Sequence, residues 1–421
     1  MILKNFLKEN KFFRDSVILF IAFGITNLFN YGYHFFLGRA LGPEKYGIVG
    51  ALLSLLYIFT IFGSTIQSTV TKFVAEFKAK REFGKIKTLF VKSFTKFFYY
   101  SFFVAILFVF AIPWIKEFLN IESSVPLIIL AGLIVTIGPL ASLRGILQGT
   151  QHFSALGWNM SFEALLKFSL AILLISFLFF GVNGAILALL LPTLIMITWA
   201  VFSLRKLFNY TAEDITERKS IYLFSIPMLM INLSVILLFS FDVILVKHYF
   251  SALDAGLYVA VATLAKIVYF GSQSFVQVMF PKISEVKIDK EKSTKLLKDS
   301  LFFVMAFSII VLAFYIFAPK FIVGLLFGSE YLQIADFHLW FFAIGMMLLS
   351  LNNVLMYYNM SLNRVKVGFI VAIFTVITFL IIILRHNSIF QVIEIITLMM
   401  LVMFFSLVLY TLKPRELNFE N

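Results

Sequence analysis

The chain contains no cysteine, so disulfide staples, thiolate nucleophiles and cysteine-held metal clusters are excluded. Histidine is scarce. His34, His152, His248, His338 and His386 are the only five, and no two share a metal-ligand spacing. Charge is thin as well: 14% of the 421 residues are Asp, Glu, Lys or Arg, against roughly 25% in an average soluble domain. No Gly-rich phosphate loop of the G-x-x-x-x-G-K-[ST] form occurs, which argues against direct ATP hydrolysis.

What is present is apolar. Hydrophobic residues make up 61% of the chain and mean hydropathy is +0.98. This is the composition of a polytopic, all-α membrane protein, with no break that marks a separate soluble domain. The net charge of +13 raises a nucleic-acid partner, but in so apolar a chain it is better explained by cytoplasmic loops on an anionic leaflet. A basic, amphipathic segment, 1–15, carries Lys4, Lys8, Lys11 and Arg14. The run after it is longer than a signal-peptide core and lacks a small-residue cleavage site, so it reads as a first span.

Runs near the ~20 residues needed to cross the hydrocarbon predict about twelve spans. They fall at 16–41, 44–67, 94–112, 125–147, 159–179, 182–204, 221–249, 254–280, 300–318, 335–356, 366–384 and 389–412. With the N-terminus inside, 27 of the 35 Lys and Arg lie on the cytoplasmic side. That bias predicts a multi-pass protein of the cytoplasmic membrane with both termini cytoplasmic. The longest inner segments, 73–92 and 282–298, interleave Lys with Ile86, Leu89, Phe90, Leu296 and Leu297. Two readings fit them: short helices on the inner leaflet, or solvated loops that only set topology.

The turn between the first two spans reads Leu37-Gly38-Arg39-Ala40-Leu41-Gly42-Pro43-Glu44-Lys45-Tyr46-Gly47. Gly42 is expected to cap one helix in the left-handed conformation, and Pro43 to open the next. A related turn follows half a chain later, from Leu245 through Ser251 to Ala255-Gly256-Leu257-Tyr258. Gly47 and Gly256, Glu76 and Glu285, Pro113 and Pro319, and Gly157 and Gly368 match at offsets of 209, 209, 206 and 211. Gly and Pro mark many helix ends by chance, but a nearly constant offset favours duplication. Two parallel six-helix repeats around a central cavity are expected. They are an N-terminal bundle 1–204 and a C-terminal bundle 221–421, with a polar linker 205–220 between them.

Ionisable groups inside spans are costly, about 2.5–3.5 kcal/mol or more, and therefore point to a cavity or a partner. Glu163 and Lys167 lie four apart on one helical face, and either pair with each other or serve a substrate. Lys266 and Asp242 have no local partner on their own helices. They are expected to neutralise each other until an anionic substrate takes Lys266 and frees Asp242 for a proton or cation. Arg144 ends the fourth span and reads first as a topology residue. Arg39 lies in the first outer turn. Asn27, Asn30, Gln67, Asn232, Gln273, Gln277, Asn352 and Asn353 offer hydrogen bonds to sugar hydroxyls or between helices.

The first turn resembles the N-terminal signature of polysaccharide transporters. These are the O-antigen-type oligosaccharide flippases of the multidrug/oligosaccharidyl-lipid/polysaccharide (MOP, MATE-like) exporter superfamily. Arg144-Gly145-Ile146-Leu147-Gln148-Gly149-Thr150-Gln151, Phe241-Asp242-Val243-Ile244-Leu245, Gly256-Leu257-Tyr258 and Leu325-Leu326-Phe327-Gly328-Ser329-Glu330-Tyr331 are similar to the same family. The resemblance implies a secondary transporter that moves a polyprenyl-diphosphate-linked glycan outward by alternating access. Its partners would be that lipid-linked glycan, membrane lipids and glycan-assembly enzymes. No cofactor is implied beyond a coupling ion, Na+ or H+. Asp242, Lys266, Lys167, Glu163, Arg144 and Arg39 form the candidate substrate or coupling set. An ion-coupled multidrug exporter of the same fold is the alternative. A membrane-embedded glycan enzyme fits less well, because the outer connections are short and the acids and histidines do not cluster.

Overall fold

The computed structural model describes residues 11–215, 218–285, 290–334, 337–362, 364 and 366–412. The segment 1–10 with Lys4 and Lys8, residues 286–289, Lys413 and Arg415 lie outside the described residues, as do the side chains of Gln273 and Gln277. Among the described residues the chain is helical, with no strand. Eleven helices among the described residues are long and apolar enough to cross a membrane. The first, α1 (Lys11–Ala79), is broken at Gly42 into two arms, which brings the crossings to the expected twelve.

Gly42 departs from the expected cap. Its φ of 72° is left-handed as anticipated, but its ψ of 171° is extended. The ring of Pro43 explains this, since it clashes with an α-type ψ in the preceding residue. The resulting combination is essentially confined to glycine. Across the break the Nδ1 of His34 lies 3.1 Å from the hydroxyl of the fully buried Tyr46, tying the two arms together.

The chain divides into two compact units, Met1–Gly256 and Leu257–Asn421. In the first unit α1 is followed by α2 (Phe83–Phe118), α3 (Val125–Gly149), α4 (Phe153–Ile172), α5 (Gly181–Ser203) and α6 (Arg218–Tyr249). Helix α3 is apolar on nearly every face and is correspondingly buried, packed among α1, α2 and α5. Its last turns show why small residues recur there. A side chain on Gly145 would sit 2.9 Å from the Gln67 carbonyl, and one on Gly149 2.7 Å from that of Thr71. Glycines four apart thus let α3 and the second arm of α1 touch backbone to backbone. Gln148 fills the gap between them, accepting from Gln67 Nε2 (3.0 Å) and Thr71 Oγ1 (3.3 Å). Lys78 Nζ caps the free end of α3 at the Thr150 carbonyl (2.5 Å). The motif that resembles a family signature is, physically, a helix crossing.

The basic end of this unit corrects both readings of 73–92. Helix α1 runs on to Ala79 and α2 begins at Phe83, so the two helices project beyond the spans rather than lying flat or fraying into loop. Ile86, Leu89 and Phe90 are buried with Phe73, Val74 and Phe77 against Ile146, Leu147, Leu204 and Leu207. A protein core covers them, not lipid or water. The connection after α5 runs along α2: Lys87 Nζ donates to the carbonyls of Phe208 (2.8 Å) and Tyr210 (2.6 Å), and the Phe83 and Tyr210 rings stack at 5.0 Å.

The second turn is also locally determined. Ser251 Oγ receives the Asp254 N–H (3.1 Å) and donates to Asp254 Oδ2 (2.8 Å), a capping arrangement that opens α7 (Ala252–Glu285). The His248 ring stacks on Phe118 at 3.9 Å, with Nδ1 2.7 Å from the Phe118 carbonyl oxygen. Gly47 and Gly256 meet back to back, and a side chain on Gly256 would overlap the Pro43 carbonyl.

The second unit holds the rest of α7, then α8 (Lys290–Phe317), α9 (Pro319–Leu326), α10 (Phe337–Ser361), α11 (Val367–Leu384) and α12 (Ile389–Leu412). The matched prolines behave differently: Pro113 lies inside α2, whereas Pro319 starts α9 after a break at Ala318. Tyr315 donates to the Leu264 carbonyl (2.7 Å), and Asn352 to that of Met400 (3.0 Å). At one end Arg364 reaches Asn359 Oδ1 and the Thr411 carbonyl, both at 3.3 Å, and lies over the Tyr410 ring. On α11, Phe369, Ile373, Val376, Leu380 and Leu384 form an exposed apolar stripe, the face a bilayer covers.

Candidate functional site

A chain of polar side chains runs through the first unit, among helices otherwise built of Leu, Ile and Ala. It begins on α4, where Asn159, Glu163 and Lys167 recur every fourth residue and so share one face. Arg144, from α3, forms an ion pair with Glu163 and donates through Nε to Asn159 Oδ1 at 2.8 Å. The other Glu163 oxygen accepts from Thr193 of α5 at 2.7 Å. Asn159 is fully buried and spends its amide N–H on the Met196 carbonyl (3.0 Å). One helical turn further along, Lys167 bonds Asn30 of the first arm of α1 and lies 4.6 Å from the centre of the Tyr33 ring. Tyr33, itself fully buried, donates to the Ala185 carbonyl (2.9 Å).

This arrangement corrects two expectations. Glu163 and Lys167 are not each other's ion-pair partner: the carboxylate turns to Arg144, and the ammonium to an amide and an aromatic face. Arg144 is no exposed topology residue, because its side chain is only 15% exposed and is held by two acceptors. The cluster also sets a sign. Two formal positive charges meet one negative at span depth, leaving an excess of +1 in an apolar surround. Such a site suits an anion and repels a cation.

Arg39 is exposed at the Gly42 break. Asp242 is buried in the first unit at 1% exposure, and Lys266 in the second at 8%. Asn232 approaches Thr65 at 3.5 Å, and Gln67 is engaged with Gln148. Asn352 serves a helix contact, whereas both amide atoms of the buried Asn353 lack a hydrogen bond among the described residues. Asn159, Thr193 and Tyr33 are site residues that the sequence reading missed. For Asn159 a signal existed, its four-residue spacing from Glu163; Thr193 and Tyr33 are joined by tertiary packing alone.

A cavity of about 660 Å³ lies elsewhere in the same unit, between the second arm of α1, α2 and α3. Phe59, Phe97, Val104 and Ile137 line its apolar length, and Lys92 and Lys96 stand at its basic end.

A family model described as polysaccharide biosynthesis protein matches residues 36–336. No curated protein matches the chain. An inward-facing multidrug-resistance MATE family transporter of the MOP superfamily superposes with a TM-score of 0.75 at 15% identity, covering 94% of this chain and 98% of that one. The lipid II flippase MurJ, in an inward closed conformation, gives 0.74 at 16% identity over 94% and 87%. A MOP superfamily transporter from Pyrococcus furiosus gives 0.64 at 17% identity over 94% of each chain. At these identities the likeness is one of fold.

Proposed function

This chain belongs to the polysaccharide biosynthesis protein family, and from that premise we propose that it is a secondary transporter that flips a polyprenyl-diphosphate-linked oligosaccharide between leaflets by alternating access. The observation that carries this reading is the positively biased cluster Arg144–Glu163–Lys167 inside a membrane bundle, which a diphosphate would complete. Asn159 and Thr193 are spent on holding Arg144 and Glu163 in place, and Asn30, half-buried beside Lys167, is the neutral polar group that a glycan would meet. In this reading the bundles on either side of 205–220 rock against each other, and Asp242 takes the coupling ion, Na+ or H+. Glycan-assembly enzymes hand over the substrate at the basic end.

The direct test is reconstitution into vesicles with a polyprenyl-diphosphate glycan whose leaflet is followed over time. Protein-dependent movement supports the proposal. Export of a hydrophobic cation with no movement of the glycan would replace it with the multidrug reading.

The same proposal orients the protein. The basic end faces the cytoplasm, because Lys and Arg concentrate there. A chain without cysteine makes the check clean. Single cysteines at Asn120, Asn183 and Asn387 should react with an impermeant maleimide from outside sealed cells, and one at Thr211 should not. Labelling at Thr211 would overturn the orientation.

A further inference from the structure

We propose that the cavity between the second arm of α1, α2 and α3 holds the isoprenoid chain of the substrate lipid, with its diphosphate on Lys92 and Lys96. The inference rests on the transport reading above and adds a second, separate station to it. Three observations support the assignment. The cavity follows α2 from Lys92 to Val104, twelve residue steps, or about 18 Å of helix. That is close to half of a ~30 Å hydrocarbon core, the depth that a lipid tail occupies in one leaflet. The length is apolar, lined by rings and branched side chains, while both cations stand at the basic end. Lys92 and Lys96 are also one helical turn apart, about 6 Å between side-chain roots. Two adjacent phosphoryl groups match two adjacent ammonium groups better than the single phosphodiester of a two-chain phospholipid does. One trough, likewise, takes one chain.

The polar end already has a competitor. Lys92 Nζ lies 3.4 Å from Asp214 Oδ1, with both side chains largely exposed, and Lys96 Nζ lies over the Tyr100 ring at 5.5 Å. Asp214 belongs to the connection after α5, and Ile215 next to it lines the cavity. A diphosphate on Lys92 displaces Asp214 and loosens that connection from α2. Binding of the substrate lipid is thereby linked to the segment that joins the two halves of the sequence.

The test uses the full chain in detergent micelles and a photoreactive farnesyl diphosphate. Capture should map to α2 or the second arm of α1. Lys92→Ala with Lys96→Ala should reduce capture at least about tenfold, the loss expected from removing charge-assisted hydrogen bonds, and the Arg/Arg pair should recover most of it. Ile137→Trp, which fills the trough, should reduce it similarly, whereas Asp214→Asn should raise it several-fold. Capture that is indifferent to the lysines, crosslinks confined to 257–421, or equal competition by phosphatidylglycerol would overturn the assignment. Flipping measured on the same proteins keeps the two readings apart. A wild-type protein that captures the probe at this site but flips no glycan retains the site and loses the transport reading. One that flips glycan without capture there does the reverse.

Discussion

Glu163→Ala should cost both stability and transport, whereas Arg144→Met combined with Glu163→Leu should recover stability alone. The single change leaves a guanidinium among apolar helices with Asn159 as its remaining side-chain acceptor. Breaking a buried ion pair from one side costs about 3–5 kcal/mol. The side chains of Arg144 and Glu163 keep 15% and 22% exposure, so the lower end of that range applies. Thermal unfolding in micelles should then shift down by roughly 3–6 °C. The double change removes both charges and substitutes apolar volume, an exchange that is often neutral or stabilising. Transport should still fall by roughly 10–100-fold, because in the proposed reading Arg144 is a charged donor to the substrate diphosphate and the double change removes it. Normal flipping by the double variant, with recovered stability, would make the pair a brace between α3, α4 and α5 and nothing more.

That experiment turns on a contact that one helix's sequence does not contain. Spacing along α4 brought Glu163 and Lys167 to one face, and the structure keeps them there. Which group each one bonds depends on what α1, α3 and α5 present opposite. Arg144 is nineteen positions from Glu163 and Asn30 is 137 from Lys167, so neither leaves a local periodic signal. The twelve crossings were legible because a bilayer tolerates few departures from helix, and charge marks the helix ends. The break at Gly42-Pro43 was legible for a related reason: the proline ring restricts the residue before it whatever the tertiary setting. Ile86, Leu89 and Phe90 were assigned to lipid or solvent because an apolar face does not reveal what covers it. Leu143, Ile146, Leu204 and Ile215 cover it from three distant stretches of chain.

The same reasoning explains the glycines. Gly145 and Gly149 stood out as part of a family pattern, and the pattern alone does not say whether it binds something or packs. Their approach to the backbone of Gln67 and Thr71 answers for packing. Arg144, one residue earlier on the same helix, answers for the polar cluster. One short motif therefore carries two separate physical tasks on adjacent faces of α3.

Lys266→Ala should abolish glycan flipping while the protein still inserts and folds in the membrane. Lys266 is 8% exposed and lies fourteen residues into α7, about 21 Å along that helix from its start. A lysine held there is costly unless the charge is used, at least about 2.5–3.5 kcal/mol by insertion measurements. Removing one member of a buried charge pair also destabilises, so the expected result is transport lost beyond what the shift in thermal unfolding accounts for. Lys266→Arg retains the charge in a planar, less strongly hydrated form and should keep partial activity. Asp242, 1% exposed on α6, is the acid proposed to take the coupling ion once substrate arrives. Asp242→Asn should therefore let the protein capture substrate yet stall before release, visible as retained binding of the lipid-linked glycan with no net transfer. The double change Asp242→Ala with Lys266→Ala decides between roles. A pair kept only to balance charge tolerates the loss of both partners, since no isolated charge then remains. A substrate and coupling pair does not, and the double variant should be as inactive as Lys266→Ala. Near-normal flipping by the double variant would remove both residues from the mechanism and leave Arg144 and Lys167 as the anion-binding groups at span depth.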